Sequence, residues 1–170
     1  IYTIDVFQDA LSDTRGIRVN SAISGDELML ITNGRLRDVA AWYHLVVAVD
    51  TTQGTNTNRC KIYLNGVQQT DLATATYPDQ NYETACNSAI KHNVGAKGDV
   101  GGPFDGYMAE FHHIDGTALT PASFGETGDY GEWKPIKYVG SHGTNGFYLP
   151  FKHDYSVEGF STSTYRGSGV

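Results

Sequence analysis

Residues 42–66 constrain the fold more than any other stretch. They read Trp-Tyr-His-Leu-Val-Val-Ala-Val-Asp, then a polar loop, then Cys-Lys-Ile-Tyr-Leu-Asn-Gly. The first run, 42–50, is β-branched and aromatic with no Gly or Pro, so it reads as a strand. Tyr43, Leu45, Val47 and Val49 fall on one face, and Trp42, His44, Val46 and Ala48 on the other. Both faces are largely apolar, which places this strand centrally in a sheet with cover on each side. Residues 51–59 are Thr, Asn and Gly rich and suit a solvated connection. Residues 60–64 alternate again, and Asn65-Gly66 is a strong tight-turn signal because both residues tolerate φ > 0. Residues 67–72 can return as the next strand, which makes an antiparallel meander.

The rest of the chain repeats this pattern of short strands. Residues 2–7 and 17–23 alternate. Residues 27–32 form a strand that Asn33-Gly34 turns into 35–39, a second tight hairpin. Residues 74–88 lack periodicity, contain Pro78 and read as a long loop, and 92–96 is a short strand. The glycine-rich run 95–102 lacks the G-x-G-x-x-G spacing and precedes a strand, so it is not a phosphate cradle. Asp105-Gly106 opens a strand over 107–114, which Asp115-Gly116 closes. Thr120 and Pro121 suit the N-cap and first position of a one-turn helix near 120–124, with Gly125 at its end. Residues 126–146 show little pattern, 147–151 is a last strand, and 152–170 is a Ser/Thr/Gly-rich extension with no core pattern. Many short strands and one trivial helix imply an all-β, antiparallel sandwich or barrel. Its core is expected to hold Leu45, Val47, Ile62, Leu64, Phe147 and either Met108 or Phe111.

Composition narrows the function classes. The 170 residues suit one domain with an ample core. A net charge of −7 carries no electrostatic footprint for nucleic acid, and no apolar run reaches the length of a membrane helix. A start at Ile1 with no leader pattern suggests a piece of a longer chain or a processed product. Cys60 and Cys86 give either one disulfide or two buried thiols, and their spacing is not that of a zinc site.

Residues 41–50 with Lys61-Ile-Tyr-Leu-Asn-Gly66 resemble the middle of a laminin-G-like, concanavalin A-like jelly roll. Phe104-Asp-Gly-Tyr-Met-Ala-Glu110, Ile114-Asp-Gly116 and Ala118-Leu-Thr-Pro121 resemble that family's closing strand and short helix. The Phe-Gly-Glu-Thr segment at 124–127 and Asn-Gly-Phe-Tyr-Leu at 145–149 resemble the version found in structural proteins of marine tailed phages. The resemblance spans roughly residues 35–151 and implies a jelly-roll domain over 1–151, with its opening strands partly outside the chain.

That fold includes glucanases, which set two carboxylates on alternate positions of one strand. Here Glu110 is followed by His112 and Ile114, so the acid–nucleophile pair is missing and a non-enzyme is expected. His112 and His113 are adjacent in a strand, point to opposite faces and cannot share one ion. The six His residues lack a Ser or Cys nucleophile at a recognisable spacing. Relatives of this fold often bind calcium, and Asp50, Asp99 and Asp105 at strand ends and loops are candidate oxygen ligands, although isolated Asp residues usually cap turns. For sugar binding, Tyr77, Tyr82, Tyr130 and Trp133 lie in unpatterned loops and are the candidate stacking rings; the competing reading makes them lids over the core.

The function expected is a non-enzymatic adhesion module on a phage tail, fibre or capsid surface, contacting host glycans or other virion proteins as a homo-oligomer, with a trimer favoured. The alternative is a carbohydrate-binding module of a secreted polysaccharide-degrading enzyme, and a catalytic glucanase is the weakest reading.

Overall fold

The structure is a computed structural model, and it describes residues 2–8, 15–21, 28–87, 92–95 and 104–151. Eleven strands run through them: β1 (Tyr2–Gln8), β2 (Arg15–Ser21), β3 (Leu28–Thr32), β4 (Leu45–Val49), β5 (Cys60–Leu64), β6 (Val67–Gln68), β7 (Leu72–Thr76), β8 (Phe111–His113), β9 (Gly125–Thr127), β10 (Trp133–Pro135) and β11 (Phe147–Leu149). Every pairing is antiparallel. One sheet has the order β1-β2-β3-β7, a second β4-β5-β6, and β10-β9 and β11-β8 form two short ribbons. The fold is all-β, as the short alternating segments require.

The core lies between the first two sheets. Ile17 and Val19 from β2, Leu28 and Leu30 from β3, and Cys60 and Ile62 from β5 form one buried cluster. Val47, Val49 and Leu64 pack against it, and the ladder explains why. Val47 opposes Ile62 and Val49 opposes Cys60, so their side chains project to one face of the sheet. Alternation thus turns the apolar period of β2, β3 and β5 into a sandwich. Asn65 and Gly66 turn β5 into β6 with φ of 48° and 80°, the mirror-image turn that fits strand twist. The Asn65 side chain also accepts from His44 N–H at 2.8 Å, which ties the turn to the start of β4.

Several expectations need correction. The strand expected over 42–50 is only β4, and Trp42 is 66 % exposed, because nothing among the described residues covers that end of the sheet. Leu45 and Phe147 stand at the rim rather than in the core, each 36 % exposed. The Asn33-Gly34 hairpin does not form, and 35–39 is not a strand. Asn33 instead bonds Asp71 through backbone (3.1 Å) and side chain (2.7 Å), which brings β7 beside β3. The loop expected from 74 begins as the end of β7, and 92–95 is not a strand, while Ala96 lies outside the described residues. The strand expected over 107–114 shrinks to β8, since Glu110 adopts φ 52° and breaks the extension.

The expected short helix is a 3₁₀ turn, Pro121–Ser123. Thr120 holds the N-cap position in an extended conformation, but its side chain makes no cap bond. The C-cap is Phe124, and Gly125 already belongs to β9. The extension 152–170 lies outside the described residues.

Candidate functional site

The β8–β11 ribbon gathers the densest set of polar aromatic groups among the described residues. Its register sets Tyr148 opposite His112 and Phe147 opposite His113. Cross-strand partners share a face, so the two histidines face opposite ways. On one side His113 stacks on Phe147 with ring centres 5.3 Å apart, and Phe111 stacks on the same ring at 5.8 Å. On the other, His112 stacks on Tyr148 at 4.6 Å and 13°.

Glu110 stands just before β8, where its left-handed φ interrupts the strand. That conformation costs a non-glycine residue about 1–2 kcal/mol, and such outliers gather at functional sites. The Tyr148 hydroxyl donates to the Glu110 carboxylate in a short hydrogen bond. This bond, made by the neutral phenol, pushes the Tyr148 pKa up to about 12.

The segment 138–146 closes over His112. Asp115 N–H donates to the His142 carbonyl at 2.8 Å, and Asn145 donates twice, from backbone and side chain, to the Asp115 carboxylate at 3.1 Å. Gly143, at φ 83°, makes this approach feasible: a Cβ there would collide with the Asp115 carbonyl. The docked loop brings His142 Nε2 to 3.0 Å from His112 Nδ1, with the rings stacked at 5.4 Å and 16°. Tyr138 and Phe124 wall the pair, with ring centres 5.6 and 5.5 Å from His112. Burial holds the His112 pKa below its ordinary value, the neighbouring His142 lowers it further, and Glu110 opposes both.

A third imidazole joins from the main sandwich. The Trp133 indole N–H donates to His44 Nδ1 at 3.0 Å, and the indole lies over Gly66 and Gly125, where a Cβ on either glycine would strike it. Trp133 therefore docks β10 onto the β5–β6 turn. Burial lowers the His44 pKa, in keeping with an Nδ1 that accepts a hydrogen bond.

Beside this cluster opens a cleft of about 430 Å³, lined by Glu110, Pro135, Ile136, Lys137 and Tyr148. Ile136 N–H donates to the Phe124 carbonyl at 2.9 Å, which fixes this wall to the aromatic cluster. The cleft offers an aromatic ring, an apolar wall, one carboxylate and one ammonium. That set can stack on a flat ligand and bond to its hydroxyls or amides. Glu110 is the one carboxylate among these lining residues.

The structure distributes the residues singled out in the sequence. Trp133 joins the site, but as a half-buried anchor. Tyr77 packs against the sandwich core, and Tyr82 is half-buried. Tyr130 is 96 % exposed in the turn between β9 and β10. The Asp50 carboxylate accepts from Thr52 N–H and Oγ and from Gln53 Nε2, the turn-capping reading of an isolated Asp. Asp105 is exposed, and Asp99 lies outside the described residues. Among the described residues no group of three or more His, Cys, Asp or Glu could hold a metal ion. Cys60 and Cys86 are free thiols; burial pushes Cys60 up to about 12, and Cys86 shares a hydrogen bond with Thr84 Oγ at 2.9 Å. Sequence reasoning missed Tyr138, His142, Tyr148 and Lys137. Tyr138, His142 and Lys137 sit in the unpatterned stretch 126–146, where only Tyr130 and Trp133 stood out, and Tyr148 sits in the expected last strand, 147–151.

The family model of the concanavalin A-like lectin/glucanases superfamily, in a laminin-G form, matches residues 3–123. A domain of this type suggests carbohydrate or protein binding. No curated protein and no solved structure matches the chain. The match takes in Glu110 and His112, whereas Trp133, Tyr138, His142 and Tyr148 lie beyond its end.

Proposed function

We propose that this chain, which belongs to the concanavalin A-like lectin/glucanases superfamily, is a non-enzymatic recognition module that binds a glycan in the Glu110–Tyr148 cleft. One observation carries the reading: Tyr148 lines the cleft while His112 backs its ring and Glu110 holds its hydroxyl. A stacking ring fixed in advance loses little entropy on binding. Lys137 and the free lone pairs of Glu110 supply the polar partners that orient hydroxyls. Glycoside hydrolysis uses a pair of carboxyl groups across the scissile bond, and one carboxylate in the cleft favours binding over cleavage.

The finer reading is display on a phage tail, fibre or capsid surface. It is supported by the phage-like wording of residues 124–127 and 145–149, which supply Phe124 and Tyr148 to the cluster. Several copies on one particle would multiply a weak single-site affinity. The test is a glycan array followed by calorimetry on the best hit. Tyr148→Ala should weaken binding at least about tenfold, or 1.4 kcal/mol. No wild-type binding to any glycan, or release of reducing sugar from the bound one, would sink the reading. Immunogold labelling of particles separates virion display from a module on a secreted hydrolase.

A further inference from the structure

We infer that the segment 138–146 is a strap that acid releases from the β8–β11 ribbon, through the histidine pair that fastens it. The inference goes beyond the cleft reading, and only its effect on a cleft ligand rests on that reading.

Four of the six histidines stand in two facing pairs, one on each face of β8. His112 meets His142 of the strap, and His113 meets His92 with ring centres 6.2 Å apart. The 3.0 Å between His112 Nδ1 and His142 Nε2 leaves room for one proton. When both rings are neutral, one donates to the other. When one ring takes up a proton, imidazolium donates to imidazole, a charge-assisted bond that holds the strap more tightly. When both are protonated, N–H faces N–H and two like charges lie against each other. The pair therefore has one state that pushes the strap away, and only acid reaches it.

The groups around the pair give that state little relief. Glu110, just before β8, is the carboxylate that favours a charged His112, and it already accepts from the Tyr148 hydroxyl of β11. Burial, His142 and, from the start of β4, His44 all act the other way. Tyr138 of the strap and Phe124 present rings to His112, and Lys137 shares the cleft with Glu110. The Asp115 carboxylate accepts two bonds from Asn145. On the other face of β8, burial and then His92 disfavour a charged His113, while Asp115 opposes them. His92 Nε2 lies 3.0 Å from the Cys86 carbonyl, which can only accept, so that nitrogen carries a proton.

The strap's other fastenings gather at Asp115, whose N–H donates to the His142 carbonyl and whose carboxylate holds Asn145. The Tyr138 hydroxyl bond to the Ser141 carbonyl, at 2.8 Å, and the Gly143 N–H bond to Ser141 Oγ, at 3.1 Å, stay within the strap. Among the described residues the histidine pair is thus the one side-chain hydrogen bond that runs from the strap to β8 itself. The buried cluster of the sandwich contains no histidine, so acid loosens the strap while the two main sheets stay packed. His112 also backs the Tyr148 ring of the cleft. Releasing the strap takes His142 and Tyr138 away from His112, which unsettles that ring and lets a cleft ligand go in acid.

The test is amide hydrogen exchange on the whole isotope-labelled chain at about pH 7.5 and about pH 5, the latter still above the ordinary carboxylate range. Protection factors remove the intrinsic effect of pH. From the higher pH to the lower, protection at the Asp115 and Asn145 amides should fall at least about tenfold, while the β4–β5 ladder keeps its own. Ring-nitrogen spectra of the same samples should show His112 and His142 both protonated where protection is lost. His142→Gln and His112→Gln keep a hydrogen-bonding group that takes no proton, and each should retain protection at the lower pH. Wild-type protection that survives with both rings protonated, or that is lost equally in wild type and both variants, would overturn the proposal. Where a glycan binds the cleft, its affinity should fall over the same pH range. Strap release with affinity unchanged would overturn the link to the cleft alone, and the exchange result decides the strap whether or not any glycan binds.

Discussion

His112 Nδ1 lies 3.0 Å from His142 Nε2, so one imidazole donates and the other accepts. Such a bond survives one added proton but not two. Burial and the neighbouring imidazole hold the His112 pKa below the unfolded value, despite Glu110. His44 and His113 are lowered too, by burial first, with His92 adding to the effect at His113 and Asp115 opposing it.

The pH dependence of stability follows from those directions. A histidine with a depressed folded pKa binds fewer protons folded than unfolded between the two pKa values. Its stabilisation is present above the unfolded pKa, near 6.5, and is lost as pH falls through the folded value. The melting temperature should therefore drop as pH goes from above 6.5 to below it. His112→Gln should make that drop shallower. A melting temperature independent of pH across this window would contradict the buried-imidazole geometry.

Trp133 is expected to act through folding. Its ring covers Gly66 and Gly125 and its N–H is committed to His44. Trp133→Ala should cost about 1–3 kcal/mol in urea unfolding, less than a fully buried Trp. Gly125→Ala should destabilise as well, since the new methyl group would have to displace the indole. In calorimetry at a temperature where the variant stays folded, glycan affinity should remain within about threefold of wild type.

The core contrast is equally direct. Ile62 is 1 % exposed in the central cluster, and Ile62→Ala should cost about 2–5 kcal/mol. Leu45 shares its inward face through β4–β5 pairing but stands 36 % exposed at the rim. Leu45→Ala should cost about 0.5–2 kcal/mol, and denaturant titration of both variants checks the order.

These residues also show how far the sequence could be read. The all-β fold, the Asn65-Gly66 turn and the inward set Val47, Ile62 and Leu64 follow from period-two alternation, which local sequence carries in full. Leu45 and Phe147 have the same local pattern as core residues. Their exposure depends on where the opposing sheet ends, and that is a long-range fact. The Asn33-Gly34 hairpin failed for the same reason: Asp71, just before β7 and 38 residues away, bonds Asn33 and outcompetes the local turn. Glu110 was legible as a lone carboxylate. Its partner Tyr148 lies 38 residues on, and the docking of His142 rests on Asp115–Asn145 bonds that no periodicity announces.

The Glu110–Tyr148 bond gives the most specific prediction. A carboxylate accepting from a phenol stabilises the neutral phenol and repels the phenolate, so the proton leaves at higher pH. Tyr148 is raised to about 12 for that reason first, with burial and the Glu110 charge adding to it. A difference titration at the tyrosinate absorption band, wild type against Tyr148→Phe, should therefore place Tyr148 well above the ordinary phenol value of 10. In Glu110→Gln the charge is gone, and an amide oxygen is a weaker acceptor. The Tyr148 transition should move back toward 10. The same substitution should weaken glycan binding in the cleft, because both Glu110 and an oriented Tyr148 are needed there. A Tyr148 transition unchanged by Glu110→Gln would mean that the hydroxyl is not held by the carboxylate, and the preorganised ring would lose its support.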